Sequence, residues 1–153
     1  MQQERENTIL QENPWIEELY RRILRHHPKN RKRPAGLSDE EALNVVKKYK
    51  EECDFELPHE YLTFLKLING YKDSSIEVYG NGPEYCMDGK KILDLEFGVY
   101  NSAGDPDDDG MTGGSYRYDL VKGEYFLYDY NYEEVEKTYK SFTEMLFDIF
   151  GVI

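Results

Sequence analysis

Cysteine is nearly missing from this chain: Cys53 and Cys86 are the only two in 153 residues. Two thiols so far apart, with no secretory leader, read as free cysteines rather than a disulfide framework. Long apolar runs are missing too. Nothing approaches the roughly 18 apolar residues that a membrane-spanning helix needs, so no membrane segment is expected. The N-terminal MQQERENTILQENPW lacks the basic start and apolar centre of a signal peptide, and a cytoplasmic location is the expectation. Histidine is limited to His26, His27 and His59, and no Cys/His spacing suits zinc. No nucleophile elbow or phosphate-binding loop is present, so no catalytic residue and no cofactor is expected.

Positive charge is the next scarcity. Lys and Arg number 19 against 31 Asp and Glu, a formal net charge of −12. The deficit is uneven, because residues 1–36 carry +3 and residues 37–153 carry −15. An acidic body repels nucleic-acid phosphates and attracts basic proteins, so a protein partner is expected and nucleic acid is not. The same charge also keeps a protein soluble without any partner. Tyrosine, by contrast, is plentiful: fourteen Tyr accompany seven Phe. Each buried hydroxyl needs a hydrogen-bond partner, so many of these rings belong at the core margin or in a groove.

Asn13-Pro14 reads as an N-cap and first helical position, and Ile16, Leu19, Tyr20, Ile23 and Leu24 form an apolar stripe that Pro28 ends. Residues 1–36 are therefore expected to be an N-terminal helical extension on or beside a domain of residues 37–153. Ser38 and Glu41 have capping-box spacing ahead of a stripe from Ala42 to Cys53. Pro58 then opens a second helix with Tyr61, Phe64, Leu65 and Ile68 on one face, which Asn69-Gly70 is expected to end. Beyond it the period falls to two. Leu93, Leu95, Phe97 and Val99 alternate with polar residues, and Tyr116 to Leu120 with Tyr125 to Tyr130 flank a Lys122-Gly123 turn. Ser141 and Glu144 form another capping box before Phe142, Met145, Leu146 and Ile149. Helices, then strands, then a helix predict an α+β domain.

The order Leu57-Pro58, Tyr61, Phe64-Leu65, Asn69-Gly70, followed by Tyr118-Asp119, Tyr128-Asp129 and Ser141-Phe142, resembles the SUKH superfamily over residues 38–150. The resemblance implies a twisted, mainly antiparallel sheet with helices packed at its N- and C-terminal ends. It also implies a non-enzymatic role: most members are bacterial immunity proteins that bind and block toxins, and some relatives are signalling scaffolds. A cytoplasmic immunity protein that neutralises a basic toxin domain by steric and electrostatic occlusion is the expected function. A regulatory protein-binding scaffold with no toxin partner is the alternative.

Three constellations could carry recognition. Asp105, Asp107 and Asp109 fall at the first, third and fifth positions of an EF-hand loop with Gly110 at the sixth, but Tyr116 stands where the twelfth-position Glu is required. No metal site is expected, and Asp105, Asp107, Asp108 and Asp109 are instead candidates for meeting a basic partner. The basic run Arg21 to Arg33 could touch phosphates, but its first half is the charged face of an amphipathic helix. Tyr79, Tyr116, Tyr118 and Tyr128 are candidate interface anchors, because Tyr is enriched at binding hot spots. Packing into the core is the competing role for each ring.

Overall fold

The computed structural model describes residues 2–29, 32–101 and 113–151. Helices α1 (Gln2–Glu12) and α2 (Glu17–His26) are joined by a 3-10 turn, Pro14–Ile16. Helices α3 (Asp39–Cys53) and α4 (His59–Leu67) lead into the sheet. Its strands are β1 (Tyr71–Lys72), β2 (Ile76–Val78), β3 (Glu84–Asp88), β4 (Lys91–Tyr100), β5 (Gly114–Asp119), β6 (Glu124–Asp129) and β7 (Glu134–Tyr139). Helix α5 (Phe142–Phe150) follows. The chain is thus an α+β fold around an open, fully antiparallel sheet, with helices before and after it.

The strand order is β1-β2-β4-β5-β6-β7, and β3 shares one edge of β4 with β2. β2 pairs with Gly98–Tyr100 and β3 with Lys91–Glu96, so residues 79–83 loop out between them. Apolar residues of all five helices share one core with one face of this sheet. Ile9, Leu19, Tyr61, Phe64, Phe97 and Met145 belong to a single core cluster. The N-terminal helices are therefore built into the same core as the described residues from Leu37 onward.

Helix α1 has no counterpart in the sequence reading, because Ile9-Leu10 is the only apolar pair in its eleven residues and makes no stripe. Asn13 is not the expected side-chain cap of the following helix. Its Nδ2 turns back and donates to the Ile9 carbonyl at 2.9 Å, closing α1 instead. The two later caps do form. Ser38 and Glu41 make both bonds of a capping box, while Ser141 Oγ accepts from the Glu144 N–H at 3.1 Å. The Glu144 carboxylate accepts from Lys140 N–H rather than from Ser141, so that box is half made.

Asn69-Gly70 does more than stop a helix. α4 ends at Leu67, and Ile68 is already extended at φ −150°. Gly70 follows at φ +97°, where a Cβ would sit 2.8 Å from the Gly80 nitrogen. Asn69 Oδ1 accepts from the Asn81 N–H at 2.8 Å, and its Nδ2 donates to Asn81 Oδ1 at 2.9 Å. The pair therefore clamps the 79–83 loop against the end of α4, and only glycine tolerates both the torsion and the approach.

Phe97 breaks the alternation of β4. Glu96 pairs with Arg117 and Gly98 with Tyr116, so Phe97 is an extra, bulged residue. It fills the core against Tyr61 (4.9 Å between ring centroids) and Phe142 (5.2 Å). Val99, expected on the same face, moves to the opposite one beside Ser115. The Tyr-Asp pairs end strands by a shared device. Asp119 accepts from Val121 and Lys122 N–H at 2.8 and 2.9 Å, and Asp129 accepts from Asn131 N–H at 2.8 Å. Among the described residues, no helix is long and apolar enough to cross a membrane.

Fully buried Phe64 is expected to cost about 3–5 kcal/mol on truncation to Ala, because the cavity cannot collapse. Gly70→Val should cost about 1–3 kcal/mol through its torsion alone. Chemical denaturation checks both, and a wild-type midpoint for Gly70→Val would show that the 69–70 and 80–81 segments do not depend on their close approach.

Candidate interaction face

The register of the sheet divides its residues between the helix-covered face and a second face. Tyr116 and Leu127 pair on the covered side, as do Leu95, Tyr118, Tyr125 and Tyr139. The alternate positions make three rows across the second face. Lys72, Glu77, Val99, Ser115, Tyr128 and Val135 form the first. Glu84, Glu96, Arg117, Phe126 and Thr138 form the second, and Cys86, Asp94, Asp119 and Glu124 the third.

Arg117 is the centre of this face, with its side chain 18% exposed. Its Nε donates to Ser115 Oγ at 2.7 Å and its Nη2 to the Tyr130 hydroxyl at 3.0 Å. Asp94 Oδ2 lies 3.4 Å from Nη1, and Glu96 Oε2 lies 3.8 Å from Nε. The guanidinium carbon sits 5.2 Å from the Tyr128 ring centroid and 5.9 Å from that of Tyr130, within cation–π range. Glu96 is held from its other side as well, since the Tyr79 hydroxyl donates to Oε1 at 2.7 Å and the Ser115 hydroxyl to Oε2. A planar, forked cation suits this site better than an ammonium, because it binds carboxylates edge-on and stacks on rings.

Burial pushes the Asp94 carboxyl above its ordinary range, and the Arg117 charge partly opposes that. Burial also raises the Cys86 thiol to about 11, again against Arg117, so this cysteine stays protonated and a poor nucleophile at neutral pH. Cys53 is raised by burial too, and both cysteines are free. The Tyr79 hydroxyl is raised by burial and by the carboxylate of Glu96 it donates to. Neutral at ordinary pH, it remains a donor.

Of the rings singled out in the sequence, Tyr79 and Tyr128 lie on this second face. Tyr116 is 5% exposed in the core cluster, and Tyr118 packs against Phe55 and Tyr125, both at 4.7 Å between centroids. The structure thus brings together two of the four and assigns the other two to packing. Asp105, Asp107, Asp108 and Asp109 lie outside the described residues, as does the loop read for calcium. Among the described residues, no group of three or more His, Cys, Asp or Glu is placed to hold a metal ion. Arg117, Glu96 and Asp94 were not singled out by sequence reading. The available signal was their position: each is the polar alternate of an aromatic or aliphatic strand residue, and Arg117 is the lone cation of Ser115 to Leu120.

Fold and face together define an α+β protein with a cation-centred, acid-rich sheet surface. Compared with known proteins, the chain matches no family model, no curated protein and no solved structure.

Arg117→Met should destabilise by about 1–3 kcal/mol, because two partly buried carboxylates lose their counter-charge. The pH dependence has a definite sign. Asp94 already binds its proton more tightly folded than unfolded, and loss of Arg117 strengthens that tendency. The variant should therefore regain stability as pH falls from the raised carboxyl value towards the ordinary one. Thermal melts between pH 4 and pH 7.5 (a range of about three and a half units around the carboxylate values) measure it, and a wild-type pH profile would show that Arg117 is not the counter-charge of Asp94.

Proposed function

We propose that this protein is a non-enzymatic immunity protein that acts in the cytoplasm, binding a basic toxin domain and blocking it by occlusion and charge complementarity. The observation that carries this reading is the second face of the sheet. Its one central cation is already satisfied internally, while Glu84 and Glu124 around it are exposed and make no ion pair among the described residues. Such a face is rigid at its centre and negative at its rim. Rigidity limits the entropy lost on docking, and the unpaired charges speed encounter with a cation-rich surface. The ordered motifs that resemble the SUKH superfamily support a toxin as the partner, and the net charge of −12 suits a toxin that is itself basic where it meets nucleic acid.

The test is recovery of the partner by pull-down from the native organism, followed by inhibition of that partner's toxic activity with purified protein. Stoichiometric inhibition that weakens with salt is expected. A toxin that remains fully active at saturating protein would overturn the reading. Replacing Asp105, Asp107, Asp108 and Asp109 by Asn should slow association about tenfold at low salt without changing the melting temperature, since long-range charge attraction acts mainly on the on-rate. Stopped-flow measurement separates this from a change in dissociation.

A further inference from the structure

We infer that the second sheet face docks a polypeptide segment that carries an apolar side chain and, about 14 Å from it, one or more arginines. This deepens the reading above and rests on it only in taking the ligand to be a protein. The spacing comes from the rows. Along β5, Ser115, Arg117 and Asp119 mark three successive rows on one face, each about 7 Å from the next. The row through Ser115 runs from Lys72 and Glu77 through Val99 to Tyr128 and Val135, so its β6–β7 part is the apolar one, and Val135 is 54% exposed on the edge strand β7. The row through Asp119 carries Asp94 and Glu124, with no cation in it. Between them stands Arg117, fixed by Ser115, Tyr130, Asp94 and the Tyr128 ring.

The face therefore has polarity. Where it crosses β6 and β7, the first row offers apolar and aromatic surface at Tyr128 and Val135, where a hot-spot side chain can be desolvated. The other offers carboxylates that Arg117 reaches on one side only. A basic segment laid along the strands, from the first row to the third, satisfies both ends at once, whereas an acidic or uncharged one leaves Asp119 and Glu124 without a counter-charge. Arginine is favoured over lysine because the face already accepts a guanidinium between carboxylates and tyrosine rings. The edge strand β7 is an unsuitable alternative for strand addition, since its register shifts opposite Leu127 and Tyr128 and it carries Glu134 and Glu136.

The experiment uses the whole chain, isotope-labelled, titrated with the hexapeptide Ac-(Arg-Trp)3-NH2 and followed by amide chemical shifts. The expected shifts cluster on β3 to β7, at Glu84, Arg117, Tyr128 and Val135. Glu84→Gln/Asp119→Asn/Glu124→Gln should weaken binding about tenfold, and Val135→Ser about threefold. The control, Glu12→Gln/Glu51→Gln/Glu56→Gln, removes the same charge from exposed helical or linker positions and should leave affinity unchanged within about twofold. Ac-(Lys-Trp)3-NH2 should bind more weakly than the arginine peptide, and Ac-(Glu-Trp)3-NH2 should not bind. Equal weakening by both triple variants would show that net charge alone attracts the peptide and would overturn the proposal. Shifts confined to the helices or to residues 102–112 would do the same. Concentration-dependent sedimentation without peptide, abolished by Val135→Ser, would give the face to a second copy of this chain instead. None of these outcomes bears on toxin neutralisation, so the two readings fail separately.

Discussion

Phe97 occupies one position more than its neighbours on β5 allow, and the division of the sheet into two chemically different faces depends on that extra residue. By bulging, it places a whole aromatic ring between Tyr61 of α4 and Phe142 of α5, so that three aromatics from three elements meet edge to face or tilted. Such contacts add to the area buried. The residue after it has to be small: a Cβ on Gly98 would stand 2.3 Å from the Glu77 carbonyl oxygen of β2. Beyond the bulge the alternation resumes out of phase, which carries Val99 to the face shared by Ser115 and Tyr128.

The abundance of tyrosine follows from the same arrangement. The core packs tyrosine and phenylalanine rings among its Leu and Ile side chains, and the tyrosine hydroxyls must then reach polar partners at the margin. Tyr61 donates to the Tyr79 carbonyl at 2.7 Å, Tyr71 to Asp73 at 2.7 Å, and Tyr139 to Asp148 at 2.5 Å. Tyr49 donates to the Pro83 carbonyl. Two of these bonds, from Tyr61 and Tyr49, hold the 79–83 loop from below while Asn69 holds it from the end of α4. That loop delivers Tyr79 to Glu96, so core packing and the charge cluster of the other face are mechanically joined. Among the described residues Tyr20 is the exception, as its buried hydroxyl meets no partner in hydrogen-bonding geometry.

The Arg117 cluster is better understood as a rigid centre than as a source of affinity. A partly buried cation with two carboxylates gains little net stability over apolar packing, because desolvation offsets most of the attraction. Its value lies in fixing positions. With its donors committed to Ser115, Tyr130 and Asp94 and its charge beside Glu96, the guanidinium holds two tyrosine rings and two acids in one geometry. A surface held in this way loses little freedom on meeting a partner.

Periodicity and caps alone were enough for the α+β order, the helices from Ser38 to Leu67, the central hairpin and the final helix, because local torsional preference and burial agree there. Ser38 with Glu41, and the alternating Tyr116 to Leu120, are cases where neighbours in sequence are also partners in space. Residues 2–12 gave no such signal, since their helix is stabilised by docking Ile9 into a core made elsewhere. Asn69-Gly70 was legible as a break, but its clamp on Asn81 was not, for that bond spans twelve residues. The candidate face was half legible. Tyr79 and Tyr128 could be named from composition and strand position, whereas Tyr116 and Tyr118 carry the same sequence cues and turn to the core. Register decides between such rings, since Tyr128 stands opposite Ser115 and Tyr116 opposite Leu127, and a period of two does not say which set faces the helices. Likewise, Arg117, Glu96 and Asp94 are ordinary polar alternates in sequence. Only pairing of β4 with β5 brings them within reach, because the strands that carry them are joined across residues 101–113 and their contact is set by register rather than by proximity along the chain.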